Sequence, residues 1–329
     1  MTTLESCPVA FQRDAPLANR STLKVGGRAE LLLEPATPDE LVEAVAWVGE
    51  RGLPLHLLGG GANTILPDGT VGGAVLTTER MRRTFRKVPA EYMAGVASDD
   101  PYAETVPRIA LPEDGGEPVL VCWAGSSMPG LVTAAKALGW SGLEGLAGVP
   151  GTIGGGVAMN AGGSWGELWD VVESVRVLEP DGSVVDLAKG DCAPSYRNAN
   201  LGPRIVLGCV LRLEKSSKAQ VSEAVRDYLK HKRDVQPVTE ASAGCVFKNP
   251  DPERSGGRSA GRLVDEAGLK GASIGGARVS DKHGNFIVNS GGATAADVLA
   301  LVERCRSEVA ERFGVELERE VKVWDPSGR

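Results

Sequence analysis

Apolar residues recur with the period of an α-helix in four segments of the chain. The first begins at Thr37, where Pro38 suits the first helical position, Glu40 completes a Thr-x-x-Glu capping box and Gly52 follows the end. The same periodicity predicts further helices over residues 129–138, 221–233 and 294–314. Helices therefore occur in both halves of the chain.

Shorter apolar runs between these segments predict β-strands. They cover residues 53–58, 119–123, 171–178, 184–187, 204–213 and 315–324. Pro180-Asp181-Gly182-Ser183 is a β-turn signal between two of them, so that pair is expected to form a hairpin. Strand–helix units thus alternate with hairpins, which favours an α+β protein over a purely doubly wound one. Residues 86–117 are interpreted as a surface insertion, and residues 251–259 carry no clear pattern.

Composition and charge exclude several classes of protein. The formal net charge is −7, so there is no basic excess for general nucleic-acid binding. No apolar stretch is long enough for a membrane span, and the first residues lack the apolar segment of a secretory signal. The six cysteines include no Cys-x-x-Cys, and the three histidines are widely spaced, so no metal site is predicted. A reduced, cytoplasmic protein is expected.

Glycine is unusually frequent, with 43 residues, and it concentrates in two loops. The loop of residues 59–64 directly follows a predicted strand, and residues 145–163 form the longer cluster. Successive glycine amides can surround an anion such as a diphosphate, although tight turns remain the alternative explanation. Neither loop has the spacing of a Rossmann or P-loop motif, so both of those folds are disfavoured.

These loops and several later motifs resemble the UDP-N-acetylenolpyruvoylglucosamine reductase family. The matching segments are residues 58–63, 142–155, 159–162, 196–197, 243–250, 260–265, 274–289 and 317–321. The glycine loops resemble flavin-binding signatures of a wider superfamily. The Tyr-Arg, Phe-Lys-Asn-Pro and Glu-x-Glu-Val elements resemble this family specifically. The resemblance follows chain order and leaves out only the first twenty residues and the insertion.

The resemblance implies a fold with a two-part FAD-binding region of the vanillyl-alcohol-oxidase/PCMH type and a C-terminal α/β substrate-binding domain. The implied domains are residues 1–78 with a returning strand at 321–329, residues 79–214 with the insertion, and residues 215–320. Few residues separate Arg197 from the strand at Ile205, as in the subclass without an extra substrate-covering loop.

The family reduces the enolpyruvyl ether of UDP-N-acetylglucosamine to UDP-N-acetylmuramate in peptidoglycan synthesis. NADPH reduces non-covalently bound FAD, which passes hydride to the β-carbon, and a side chain protonates the α-carbon. The resemblance therefore implies an NADPH-dependent flavoenzyme with a small nucleotide-sugar substrate. Neither nucleic acid nor membrane insertion is involved, and a monomer is expected.

Residue by residue, the resemblance implies three catalytic groups. Arg197 matches the arginine that binds the substrate carboxylate, and Glu320 matches the active-site glutamate. Cys245 stands where the family usually has a serine proton donor. From the residues alone, Arg197 reads as a surface salt-bridge partner and Cys245 as a small buried residue. Local pattern does not separate Glu320 from the other acidic residues of its segment.

The remaining implied contacts fall into two groups. The residues expected at FAD are Gly59, Gly60, Gly61, Ala62, Asn63, Thr64, Gly125, Ser126, Gly148, Pro150, Gly151, Gly154, Gly155 and Asn160, with Ala62 replacing a more usual serine. Those expected at the substrate are Tyr196, Arg233, Lys248, Asn249, Arg262 and His283.

Two other functions remain open at this point. One is a sugar or alcohol oxidase of the same flavoprotein superfamily. Such enzymes often attach FAD through His or Cys, and neither glycine loop contains either residue. The other is a flavin or nucleotide-sugar binding module that has lost activity, for which the cysteine at position 245 is the only support.

Overall fold

The computed structural model describes residues 6–87, 100, 102 and 116–325. Its helices are α1 Pro38–Glu50, α2 Met128–Leu138, α3 Ile153–Ala158, α4 Lys189–Cys192, α5 Lys218–Val235, α6 Pro252–Ser255, α7 Ala260–Glu266 and α8 Ala295–Phe313. Its strands are β1 Phe11–Pro16, β2 Arg28–Leu33, β3 Leu55–Leu58, β4 Thr64–Ile65, β5 Thr70–Thr77, β6 Thr84–Arg86, β7 Val119–Trp123, β8 Trp140–Ser141, β9 Gly162–Gly163, β10 Gly166–Glu167, β11 Val172–Leu178, β12 Val184–Ala188, β13 Ile205–Arg212, β14 Glu214–Lys215, β15 Ser242–Cys245, β16 Ser273–Ile274, β17 Ala277–Val279, β18 Phe286–Asn289 and β19 Lys322–Val323. The predicted α+β class is confirmed.

The chain divides into two compact units that each combine several segments. The first comprises Met1–Ala10, Leu33–Gly52 and Leu76–Lys230, and the second Phe11–Leu32, Leu53–Val75 and His231–Arg329. The three predicted domains and their bounds stay a prediction. Most of the predicted insertion at 86–117 lies outside the described residues. No helix in the described part of the chain is long and apolar enough to cross a membrane.

A five-stranded antiparallel sheet in the order β12-β11-β13-β7-β6 forms the centre of the first unit. Every residue of β7 is buried, which explains why its sequence is continuously apolar rather than alternating. The predicted hairpin of β11 and β12 is confirmed by their pairing from Ser174 opposite Ala188 to Leu178 opposite Val184. Strand β6 was not predicted from the sequence. It pairs with β7 as an edge strand of only three residues.

Helix ends follow the predicted signals closely. The Thr37 hydroxyl accepts a hydrogen bond from the Glu40 amide, which confirms the start of α1. The Glu40 carboxylate bonds to the Ala36 amide rather than to Thr37, so the predicted capping box is wrong in that half. Helix α2 ends at Gly139 in the left-handed conformation, at φ +72°.

The second unit contains two four-stranded sheets, ordered β1-β2-β5-β3 and β15-β18-β17-β16. Helices α7 and α8 contribute the apolar side chains that pack with β17 and β18, including Leu263, Leu301 and Val302. The Thr294 cap of α8 and its left-handed Gly314 are confirmed. The core of this unit therefore lies beneath the strand that carries Cys245.

The prediction of one strand over residues 315–324 is wrong. Only β19 is a strand, and it pairs in parallel with β4. Val315, Leu317 and Val321 are buried while Glu316 and Glu318 are exposed, so the alternation in the sequence is real. It reflects one side packing on the core without a continuous ladder, since the only bridge formed by the described residues 315–321 joins Phe247 and Arg319. Residues 251–259, left unassigned from sequence, contain α6, which Asp251 caps.

Candidate active site

The first glycine loop belongs to the second unit and is held by its backbone. Gly61 has φ +57°, and a Cβ there would lie 2.1 Å from the Arg20 carbonyl oxygen. The Thr22 amide donates to the Gly61 carbonyl at 3.1 Å. At the end of the loop, Asn63 Nδ2 donates to the Glu320 carbonyl at 3.3 Å. Glycine is therefore required at position 61, and the loop is joined to the segment of the candidate acid.

The second group of glycines belongs to the first unit, where two loops are joined by backbone hydrogen bonds. The Ile153 amide donates to the Ser126 carbonyl at 2.9 Å, and the Gly154 amide donates to the Ala124 carbonyl at 2.8 Å. A Cβ on Gly125 would lie 1.7 Å from the Thr78 carbonyl oxygen. These amides and this close approach shape the loops themselves, so the glycines have a packing role in addition to any ligand role.

Two buried hydroxyls beside these loops have no hydrogen-bond partner among the described residues. They belong to Thr78, which lies against Gly125, and to Thr152, which precedes α3 without capping it. Because a buried unpaired hydroxyl is costly, such groups point to a ligand with matching acceptors or donors. FAD offers phosphate oxygens and flavin carbonyls, so the residues present fit this cofactor. The sequence reasoning missed both threonines, although Thr152 lies inside the glycine motif.

Besides Asn63, two predicted FAD contacts have side chains that already bond within the protein. Ser126 Oγ donates to the Arg83 carbonyl at 2.7 Å. Asn160 Nδ2 donates to Glu167 at 2.7 Å and to the Ser195 carbonyl at 3.2 Å. Their contacts with FAD stay predictions, as do those of the other loop residues.

Tyr196 and Arg197 form the tip of a tight turn in the first unit. Ser195 and Asn198 exchange two backbone hydrogen bonds, and Arg197 has φ +57°. A left-handed residue at this turn position is normally glycine or asparagine, so the arginine is held there against its own preference. Its Nη2 donates to the Gly162 carbonyl at 3.0 Å, while Tyr196 is 47% exposed.

Cys245 lies at the end of β15 in the second unit, half-buried and opposite Phe286. Lys232, on α5, interacts electrostatically with Cys245. It is only 7% exposed, and burial lowers its pKa while the charge of Cys245 raises it. Its neighbour Arg233, which the resemblance places at the substrate, is exposed, and its substrate contact stays a prediction. Lys232 continues the apolar stripe of Val221, Val225 and Tyr228 at helical spacing, and this signal could have found it.

Backbone hydrogen bonds place Glu320 next to the segment that follows Cys245. The Glu320 amide donates to the Val246 carbonyl at 2.8 Å, and the Lys248 amide donates to the Glu318 carbonyl at 2.9 Å. Glu318 is exposed and its carboxylate lies 2.6 Å from Lys248 Nζ, whereas Glu320 is half-buried. The structure thus distinguishes the two glutamates by their exposure, which the local sequence pattern did not do.

The other predicted substrate residues lie near this segment or on the surface of the second unit. Asn249 Oδ1 accepts from the Ala260 amide at 3.1 Å, at the start of α7. Arg262 is exposed and its Nε lies 2.7 Å from a Glu266 oxygen. Both side chains therefore have partners within the protein, and their substrate contacts stay predictions.

His283 is half-buried against Gly261, where a Cβ would come within 2.7 Å of the ring. Its Nδ1 accepts from the Asn285 amide at 3.1 Å. Burial lowers the pKa of His283, and the charge of Lys270 lowers it further. The neutral form of this imidazole is thus favoured more strongly than in an ordinary surface histidine. Across the described residues, no group of three or more His, Cys, Asp or Glu side chains could hold a metal ion.

Comparison with known proteins agrees with this arrangement. Residues 236–324 match the model of the UDP-N-acetylenolpyruvoylglucosamine reductase C-terminal domain, and residues 29–98 and 111–188 match that of an FAD binding domain. The UDP-N-acetylenolpyruvoylglucosamine reductase 2 of Symbiobacterium thermophilum is 38% identical to this chain, and the match covers 96% of this chain and 93% of that protein. The reductase of Moorella thermoacetica is 38% identical over 94% of this chain and 91% of its own.

A solved structure shows the same similarity in three dimensions. The UDP-N-acetylenolpyruvylglucosamine reductase of Thermus caldophilus is 34% identical to this chain, with a TM-score of 0.72. The match covers 96% of this chain and 99% of the Thermus protein. Identity at this level over nearly the whole length shows common descent as well as a common fold. The chain therefore belongs to the UDP-N-acetylenolpyruvoylglucosamine reductase family.

Proposed function

We propose that this protein reduces UDP-N-acetyl-3-O-(1-carboxyvinyl)glucosamine to UDP-N-acetylmuramate, with NADPH as reductant, and that Arg197, Cys245 and Glu320 are its catalytic residues. The observation that carries the assignment of residues is the backbone pairing of Glu320 with Val246, directly after Cys245. It fixes an acid and a thiol on adjacent segments of one unit. The bound FAD would supply the hydride that is added to the β-carbon of the enolpyruvyl group.

Arg197 stabilises the charge that develops on the substrate. An enol ether is electron-rich, so hydride addition is slow unless the adjacent carboxylate takes up negative charge in an enolate-like state. A guanidinium binds a carboxylate through two parallel hydrogen bonds, which suits this task better than a lysine. The left-handed turn at Arg197 supports this role, since strained backbone is retained mainly where a side chain must be aimed.

Cys245 donates the proton to the α-carbon. The step forms a C–H bond and leaves a thiolate, so the product state carries a new negative charge at the sulfur. Lys232 is buried in the same unit, and its ammonium form attracts and so stabilises that thiolate. The same attraction explains why the charge of Cys245 raises the pKa of Lys232 against the lowering caused by burial.

Glu320 is the third of the proposed catalytic residues. Its backbone is fixed by the Val246 carbonyl and by Asn63, and its side chain is half-buried. In the proposal its protonated carboxyl donates a hydrogen bond to the substrate carboxylate as charge builds there.

We further propose that the enzyme acts as a monomer in the cytoplasm, where NADPH and nucleotide sugars are available. Analytical ultracentrifugation tests whether it is a monomer.

Anaerobic stopped-flow absorbance of the purified flavoprotein tests the proposed reaction. NADPH is expected to bleach the flavin band near about 450 nm, and the enol-ether substrate is then expected to restore it. Absence of bound FAD, or failure of the substrate to restore the band, would contradict the proposal. Peroxide formation from a sugar or alcohol would instead identify the oxidase, and bleaching without recovery would identify the inactive binding module.

A further inference from the structure

Glu167 lies on β10 beside the turn that carries Arg197, and the sequence analysis assigned it no role. One of its carboxylate oxygens accepts from Asn160 Nδ2 at 2.7 Å, and the other lies 3.8 Å from Arg197 Nη1. The Glu167 side chain is 32% exposed and that of Arg197 only 14%. The carboxylate therefore joins a buried amide to the guanidinium proposed to bind substrate.

Asn160 connects the same carboxylate to the backbone of the Arg197 turn. Its Nδ2 also donates to the Ser195 carbonyl at 3.2 Å, and its Oδ1 accepts from the Trp169 amide at 3.3 Å. Asn160 is buried and, like Arg197, has a positive φ, at +44°. Two left-handed residues other than glycine are thus held against each other, at a cost that the surrounding hydrogen bonds must offset.

The distance between Glu167 and Arg197 differs from that of a structural ion pair in the same unit. Arg176 lies 2.6 Å from Asp100 and 2.8 Å from Asp186, as in direct charge-assisted hydrogen bonds. At 3.8 Å the Glu167 carboxylate attracts the guanidinium without the short contact seen at Arg176. Such a partner orients the arginine while leaving it able to bind a second carboxylate.

From this geometry we infer that Glu167 is a positioning residue, which through Asn160 and its charge holds Arg197 ready for the substrate carboxylate. The inference rests on the proposed role of Arg197. It predicts an effect on the step in which the substrate accepts hydride and little effect on reduction of the flavin by NADPH. A displacement of about 1 Å in a reacting group can cost on the order of 100-fold in rate.

Both half-reactions of Glu167→Ala, Glu167→Gln and the wild-type holoenzyme are measured by anaerobic stopped flow. We expect reoxidation at saturating substrate to slow about 10- to 100-fold in Glu167→Ala, with flavin reduction within about twofold of wild type. Gln retains an acceptor for Asn160, so Glu167→Gln is expected to recover most of the rate. The matched control is Glu173→Ala, which removes a similarly exposed glutamate that pairs with Arg212 in the same unit.

The double variant Glu167→Ala/Arg197→Ala separates positioning from general structural damage. If Glu167 acts through Arg197, the double variant reoxidises no more slowly than Arg197→Ala alone. Additive losses, equal slowing of both half-reactions, or wild-type reoxidation in Glu167→Ala would each overturn the inference. Failure of the proposed function is distinct, because the wild-type flavin would then not be reoxidised by the enol ether at all.

Discussion

At the scale of single residues, Cys245 stands where the family resemblance implies a serine proton donor. A thiol is a far stronger acid than an alcohol, with a reference pKa of about 8.5. Its neighbour Lys232 is buried and carries a lowered pKa. The proposed proton donation at this position therefore involves a thiol and an amine whose charges influence each other, rather than a hydroxyl.

Replacing Cys245 with serine and with alanine tests its role as proton donor. We expect Cys245→Ser to retain turnover with a changed pH dependence, because a hydroxyl can take the same place. Cys245→Ala should slow reoxidation of the flavin by the substrate about 10²- to 10⁴-fold, the usual range for a missing general acid. Rapid-reaction kinetics across pH provide the measurement.

Alkylation provides an independent check on the same cysteine. Iodoacetamide is expected to inactivate the wild type and Cys7→Ser, which removes the other half-buried thiol. Cys245→Ser should resist it. Equal sensitivity of Cys245→Ser and the wild type would show that the essential thiol lies elsewhere.

Gly61 permits a comparison in which backbone strain and steric overlap are separated. Gly61 and Gly52 have nearly the same φ, at +57° and +61°, but of the two only Gly61 has backbone atoms within 4 Å of where a Cβ would lie. Gly52→Ala should cost about 1 kcal/mol of unfolding free energy, from strain alone. Gly61→Ala should cost at least about 2 kcal/mol more and weaken FAD retention. Chemical denaturation and flavin fluorescence measure both effects, and equal losses in the two variants would refute the steric argument.

At the scale of elements, helix caps and apolar runs in the sequence predicted the helices and strands whose bounds depend on neighbouring residues. The Thr294 cap with Gly314 defined α8, and the continuous apolar run of residues 119–123 defined β7. The position of Glu320 could not be predicted in this way, because it depends on pairing with Val246 far away in sequence. Lys232 was missed although the apolar stripe of α5 runs through it, because a lysine is seldom buried and its type outweighed its position.

The segment after Cys245 is also held by the side chain of Asn285, just before β18. Its Oδ1 accepts from the Phe247 amide at 2.9 Å, and its Nδ2 donates to the Phe247 carbonyl at 2.8 Å. Asn285→Ala leaves both buried backbone groups unpaired and should cost about 2–4 kcal/mol of stability. Exposed Asn19 supplies the control Asn19→Ala. Denaturant unfolding that gives the two variants equal stability would show that Asn285 is dispensable.

At the scale of the whole molecule, two half-buried histidines make the free energy of unfolding depend on pH. The pKa of His283 is lowered by burial below its ordinary value of 6.5, so the folded protein binds fewer protons there than the unfolded chain. The stability that neutral His283 contributes is fully present above pH 6.5. It is lost as the pH falls through the lower pKa that His283 has in the folded protein. His56, whose pKa is also lowered chiefly by burial, acts in the same direction.

Thermal unfolding between about pH 7 and about pH 5 tests this linkage. The wild type is expected to lose stability on acidification, and His283→Asn should lose less, retaining the part due to His56. His231→Asn, at an exposed position of α5, is the control and should follow the wild type. A variant at His283 with the full wild-type slope would exclude this histidine as a source of the acid sensitivity.

The hydrogen bond between Asn63 and the Glu320 carbonyl has a consequence for the synthesis of the chain. The glycine loop is synthesised more than 200 residues before its partners, Glu320 and the strand β19 that pairs with β4. Contacts so distant in sequence form late and at a high cost in loop closure. The hydrogen bond between the loop and Glu320 therefore cannot form until residue 320 has been synthesised. A nascent chain that stalls before this residue lacks both the bond and the Glu320 side chain. Any flavin binding that depends on this contact is therefore expected only after residue 320 has been synthesised.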